Sequence, residues 1–332
     1  MRSTKKLVTQ CMAAMVAWSL AASAMPQEPK PQDPKAQEPQ KVDQAIKSQV
    51  TLVNLFATVR DKNKRIVTGL KQGDFKISED NQDQKIAFFS QEVALPITMA
   101  LLLDTSASEQ DNLSAIQEAG SSFLRRILRK GDEALVMSFD ANVDLLSDFT
   151  DDRAQLDRAI RKSRINAPDQ GARVGNPGPI GSRQVTGTAL YDAIYLACDE
   201  KLNTEAGRKA IVIVTDAEDT GSKVKLEEAI EAAQRTDTVI HILLVVDPRY
   251  GGNASVGDKL AKETGGRMIS VRSEKKLLEA FDEISEELRS QYTLGYYPSN
   301  TARDGKFRKI KVEPANHDLK VLARRGYYAP KE

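Results

Sequence analysis

The chain has 332 residues, 29% of them charged, with a formal net charge of +1, which suits one or two soluble globular domains. Acidic and basic residues nearly cancel, which excludes the basic footprint that binding a phosphate backbone requires, so nucleic acid is not expected as a partner. With only two histidines and two cysteines, the chain has few ligands for a zinc site.

Arg2, Lys5 and Lys6 precede the apolar run Leu7 to Ala21, and Ala22-Ser23-Ala24 supplies a small-x-small cleavage pattern. Residues 1–24 therefore read as a secretory signal, and the mature protein is expected in the periplasm, the cell envelope or the medium. A membrane anchor is the competing reading, but the run falls short of the ~20 apolar residues a spanning helix needs, and Thr9, Gln10 and Ser19 dilute it. Cys11 lies too early in the segment for lipoprotein processing. Removal of the signal leaves Cys198 as the one cysteine, so no internal disulfide is expected; its helical surroundings suit a buried small hydrophobe. Residues 25–45, with prolines at 26, 29, 31, 34 and 39, read as an extended tether.

Residues 46–93 carry short strand signals: Val50, Leu52 and Phe56 to Val59, then Ile66-Val67, Asp74 to Ile77 and Lys85 to Phe89, separated by polar turns at Asp61 to Lys64 and Glu79 to Asn81. From Pro96 the rhythm changes. Strands are predicted at Ile97 to Leu103, Glu133 to Phe139, Lys209 to Thr215, Thr238 to Val246 and, more weakly, Arg267 to Val271. Helices are predicted between them at Leu113 to Leu128, Arg153 to Lys162, Thr188 to Glu200, Leu226 to Arg235, Gly257 to Thr264 and Glu274 to Arg289. Continuously apolar runs such as Met99 to Leu103 suit strands buried on both faces, and strand-helix alternation implies a mostly parallel, doubly wound α/β sheet over residues 94–290. Strand signals return in residues 291–332, at Tyr292 to Tyr297, Phe307 to Val312 and Leu319 to Ala323. We expect this segment to pair with residues 46–93 in one β-sandwich into which the α/β domain is inserted; two separate small β-domains are the alternative.

The candidate site is spread over three segments. Asp104, Ser106 and Ser108 follow the first apolar strand, Thr188 follows a glycine-rich loop, and Asp216 ends a later strand. Open α/β sheets bind ligands at the carboxyl ends of their strands. Asp104 and the serines alone would serve equally as caps of the next helix, but three segments at one rim give two carboxylates and three hydroxyls. Such a hard-oxygen set suits Mg²⁺ first, or Mn²⁺ or Ca²⁺.

The Asp-x-Ser-x-Ser of Asp104, Ser106 and Ser108, followed by Thr188 and Asp216, resembles the metal-ion-dependent adhesion site of von Willebrand factor type A domains. The resemblance spans about Pro96 to Arg289. Gly69-Leu70 to Asp74-Phe75, Glu79-Asp80, Gln291 to Tyr297 and Arg325-Gly326-Tyr327 further resemble bacterial exported proteins related to that group. The resemblance implies direct coordination by Asp104, Ser106 and Ser108, direct or water-mediated coordination by Thr188, and water-mediated coordination by Asp216. It also implies that a partner's Glu or Asp completes the cation's shell. Ala217 departs from the glycine that many relatives carry after the second aspartate.

Asn166 to Val185, rich in glycine and proline, is long for a simple connection and suits a partner-contacting loop, with disorder as its alternative. A metal-dependent hydrolase or phosphoryl-transfer enzyme is the rival function. It would need a general base near the ion; His241 lies in an apolar strand, where a satisfied core residue is expected, and His317 in a distant turn. A structural envelope protein with a non-essential metal site is the third reading, with Tyr292, Tyr296, Tyr297, Tyr327 and Tyr328 as its interface or as core. An exported protein-binding, adhesion-type module without catalytic residues accounts best for the residue set.

Overall fold

Apolar runs become strands wherever a parallel neighbour lies on each side. The computed structural model describes residues 52–91, 95–165, 187–246 and 251–331. The segment expected to be an export signal, the proline-rich tract expected to be a tether, and the Asn166 to Val185 loop lie outside the described residues. In chain order the strands and helices are β1 (Val53–Arg60), β2 (Phe75–Glu79), β3 (Gln82–Gln84), β4 (Ile86–Ser90), β5 (Ile97–Asp104), α1 (Leu113–Ile127), β6 (Glu133–Phe139), β7 (Val143–Thr150), α2 (Arg153–Lys162) and α3 (Leu190–Leu196). There follow β8 (Arg208–Thr215), α4 (Leu226–Arg235), β9 (Thr238–Val245), α5 (Ala254–Thr264), β10 (Met268–Val271), α6 (Glu274–Arg289), β11 (Tyr292–Tyr296), β12 (Phe307–Pro314), β13 (Lys320–Leu322) and β14 (Gly326–Tyr328).

The central sheet has the order β10-β9-β8-β5-β6-β7. Its pairings are parallel except at the edge, where β7 runs antiparallel to β6. All eight residues of β5 and of β9 are buried, which explains why their sequences do not alternate. Side chains still alternate in direction: Met99, Leu101 and Leu103 join one core with α1, α2 and α6, whereas Ala100 and Leu102 join a second core with α3, α4 and α5. The architecture is a mixed α/β fold with a largely parallel central sheet, accompanied by two antiparallel sheets.

Those two sheets have the orders β13-β1-β11-β4 and β14-β12-β2-β3, so each combines strands from before β5 with strands from after α6. Inward residues of both, including Leu55, Phe75, Ile77, Tyr292, Leu294 and Ile310, bury one another in a third core. Phe75 and Tyr292 rings lie 5.2 Å apart in it. Two tyrosine hydroxyls, of Tyr296 and Tyr327, donate to the buried Glu79 carboxylate at 2.7 and 3.1 Å. A buried ion pair joins the antiparallel sheets to the α/β unit: Arg60 of β1 donates to Glu287 of α6 at 2.8 Å, and within the α/β unit the partly buried Arg267 donates to the same carboxylate at 3.1 Å.

Several elements depart from the expected ones. β3, β7 and β14 carry weak patterns; β7 is a bulged edge strand with exposed positions along it, so no apolar run marks it. Ile66 makes only an isolated bridge to Arg60, because Asp61 folds the preceding segment into a tight loop by accepting the Arg65 N–H. The helix expected from Thr188 starts at Leu190, and after Leu196 it widens into a π-helical turn over Ala197–Lys201. α5 begins three residues earlier than its apolar pattern, at Ala254, because the Asn253 side chain caps it by accepting the Val256 N–H. Cys198 is buried and free, and burial pushes its thiol up to about 12. Among the described residues no helix is long and apolar enough to cross a membrane.

Candidate metal centre

Parallel strands β5, β6 and β8 end at one rim, and the chain leaves each of them through a short, tightly bonded turn. Asp104 is the last residue of β5 and is fully buried, paired with Phe139 at the end of β6. Its two oxygens are held separately: Oδ1 accepts the Ser106 N–H at 2.9 Å, and Oδ2 accepts the Thr215 hydroxyl at 2.6 Å. Thr215 is the last residue of β8, the neighbouring strand, and its own Oγ1 accepts the Ala217 N–H at 3.0 Å. Two adjacent strand ends are thus tied through one hydroxyl. The Ser106 and Ser108 hydroxyls lie 3.0 Å apart, with Ser106 buried and Ser108 half-buried.

Asp216 follows Thr215 and is buried; its Oδ1 accepts the Glu218 N–H at 3.0 Å. Ala217 lies in the left-handed region, at φ 60°, and is fully buried. That backbone is open to glycine without strain and costs an alanine about 1–2 kcal/mol, which gives a physical meaning to the departure from glycine at this position. Asn253, the cap of α5, donates its N–H to the Asp216 carbonyl at 2.7 Å.

Thr188 reaches the same rim through backbone bonds. Its carbonyl accepts the Thr220 and Gly221 N–H groups, each at 3.0 Å, and its N–H donates to the Thr220 hydroxyl at 3.0 Å. The next residue, Ala189, donates to the carbonyl of Asp140, just beyond β6, at 2.6 Å. A Cβ on Gly187 would stand 3.3 Å from the Gly221 Cα, so glycine permits this close approach. All five residues named from the sequence therefore sit on the turns of one sheet edge. Asp104, Ser106 and Asp216 are linked by direct bonds to neighbouring turn backbone, Ser108 through Ser106, and Thr188 through the 220–221 turn.

Sequence reasoning missed Thr215, which binds the Asp104 carboxylate; its signal is a hydroxyl immediately before the second aspartate, at the end of an apolar strand. It also missed Asp140, buried at the same rim, whose carboxylate accepts the Asn142 N–H at 2.9 Å. Glu109, after Ser108, is buried and accepts from the Asn112 amide at 3.1 Å.

Burial raises Asp104 most, the hydrogen bonds from Ser106 and Thr215 pull it down, and the Asp216 charge raises it further; the net result is about 7. Two buried, mutually repelling carboxylates among hydroxyls and backbone N–H groups suit a hard divalent cation, which would relieve the repulsion. Among the described residues no three His, Cys, Asp or Glu side chains cluster as metal ligands, so such a site depends on its hydroxyls. Neither histidine is at this rim: His241 is buried midway along β9, opposite Val212, and its ring nitrogens have no hydrogen-bond partner among the described residues, contrary to a satisfied core histidine. His317 lies between β12 and β13.

Residues 99–219, which include all five, match the family model of the von Willebrand factor type A domain. Over these residues the chain is similar to that domain. No curated protein matches the chain. Among solved structures, it is similar to proximal thread matrix protein 1 from the mussel byssus, at 15% identity and a TM-score of 0.49, over 72% of this chain and 50% of that one. The chain thus spans about half the length of the mussel protein, of which another structure is described with a zinc-occupied MIDAS motif. It is also similar to a von Willebrand factor type A protein from Catenulispora acidiphila, at 12% identity and a TM-score of 0.48, over 85% of this chain and 75% of that one. A third similar structure is the vWF domain of the type V pili tip protein Mfa5 from Porphyromonas gingivalis, at 14% identity and a TM-score of 0.43, over 58% of this chain and 95% of that one.

Proposed function

We propose that Asp104, Ser106, Ser108, Thr188 and Asp216 hold one divalent cation, Mg²⁺ before Mn²⁺ or Ca²⁺, and that the protein is an exported binding module which captures a partner's Glu or Asp through it. The observation that carries this reading is the buried Asp104 carboxylate, tied to both flanking turns and facing a second carboxylate at a rim of hydroxyls. In such a site the bound cation would supply positive charge and an open coordination position to an incoming carboxylate. The protein's own residues do the rest. Thr215 and the Ser106 N–H orient Asp104, Glu218 N–H orients Asp216, and the 220–221 turn fixes Thr188. With residues 1–24 as a signal and 25–45 as a tether, the α/β domain of residues 94–290 would be presented on a β-platform built from residues 46–93 and 291–332.

Isothermal titration of Mg²⁺, Mn²⁺ and Ca²⁺ into the metal-free protein tests the site, and pull-down from an envelope extract with and without a chelator tests its use. Saturable binding that Asp104→Ala reduces at least tenfold, and partner capture lost with the same change, are the expected results. Capture that survives both chelation and Asp104→Ala would sink the metal-mediated reading.

A further inference from the structure

The parallel strands also have an amino-terminal pole, opposite the metal rim, and there the α4–β9 turn faces the antiparallel sheets across a cavity of about 180 Å³. An apolar cavity of ~150 Å³ accommodates benzene, so this one has room for one ring or one side chain with a polar group attached. Its apolar walls come from the Tyr327 and Tyr328 side chains with Pro298 and Pro330. Three arginines line it, Arg235, Arg303 and Arg324, against one acidic residue, Asp237.

Two of these arginines are fixed. Arg324 is buried, pairs with Asp237, donates to the Asn54 carbonyl at 2.8 Å and lies 5.7 Å from the Tyr327 ring centroid. Arg235 pairs with Glu231 at 2.6 Å and lies over the Tyr328 ring at 4.1 Å. Arg303 is different: it is exposed and makes no ion pair among the described residues. The cavity therefore combines ring-sized apolar walls, two guanidiniums locked against tyrosine rings and a third guanidinium with its fork unused. An anionic group is the natural complement of that fork, since planar bidentate pairing is what guanidinium does best with a carboxylate.

We propose that this cavity binds an organic acid, a carboxylate carried on a body the size of one ring or one apolar side chain, with Arg303 pairing the carboxylate. Such a ligand has two possible sources, a free small acid or the C-terminal residue of another chain. Titration of the full chain with benzoate, benzyl alcohol, and a tetrapeptide ending in phenylalanine, as free acid and as amide, separates them. Saturable binding of benzoate or the peptide acid is expected, weakened about tenfold or more by Arg303→Ala and by loss of the ligand's charge, and unchanged by Asp104→Ala. Binding of the peptide acid alone points to a chain terminus; binding of benzoate alone points to a free acid. The proposal is overturned if neither acid binds, if the uncharged analogues bind as tightly, or if Arg303→Ala binds equally while its melting curve is unchanged.

Discussion

Asp104 meets two opposing demands, a fully buried position and a charge, and Thr215 is what reconciles them within the protein. Thr215→Val keeps the shape of that side chain and removes its hydroxyl, leaving one carboxylate oxygen and the Ala217 N–H short of a partner. A destabilisation of about 1–3 kcal/mol is expected in the metal-free protein by urea unfolding, together with a 10–100-fold loss of cation affinity. Thr215→Ser restores the hydroxyl and should recover most of the affinity; a Val variant that binds the cation as tightly as the parent would remove Thr215 from the site. The same physics explains why Thr215 was not legible beforehand. Within an apolar strand a threonine reads as a β-branched filler, and only the neighbouring strand's end shows what its hydroxyl reaches.

At the scale of elements, long parallel strands and amphipathic helices were legible because their patterns are set by burial. β5 is buried along its length, and α2, α4 and α6 fall at their expected residues. Leu101, central in β5 and fully buried against α1, should cost about 2–5 kcal/mol when cut to alanine, read by denaturant midpoint at constant slope. A cost below about 1 kcal/mol would mean that this strand is not the centre of the core. Edge elements were less legible: β7 is bulged and half-exposed, and β3 and β14 are three residues each, too short for a period to show. The π-helical turn after Leu196 was equally hidden, since composition does not distinguish it from continuation of α3.

Across the whole molecule, α6 connects the α/β unit with the antiparallel sheets, and His241 is buried on the same side of the central sheet. Burial lowers His241 to about 4 from an ordinary value of 6.5; the Glu287 charge opposes the shift, and Arg267 and Arg60 reinforce it. The unfolded chain therefore takes up a proton first on acidification. Stability from this group is fully present above about pH 6.5 and falls as pH drops toward 4, by on the order of 3 kcal/mol in total. His241→Met should flatten the dependence of unfolding free energy on pH in that window; an unchanged slope would assign the acid sensitivity to other groups. Neutral His241 also leaves Glu287 to Arg60 and Arg267, whose pairing links β1, α6 and the start of β10.

Local burial periodicity and short-range spacing encode the alternation of strand and helix, the strand-rich flanks, and the Asp-x-Ser-x-Ser turn with Thr188 and Asp216 as its distant companions. A strand end carries its polar residues to the sheet rim whichever strand lies beside it, so the candidate site could be named before its neighbours were known. The tertiary structure alone decided which strands adjoin. It put β8 next to β5, and so Thr215 against Asp104; it built each antiparallel sheet from both ends of the chain; and it set Arg303 and two tyrosines around one cavity. These pairings join residues tens to hundreds of positions apart, and they are selected by the collective burial of two sheet faces and three cores, a quantity no local pattern contains.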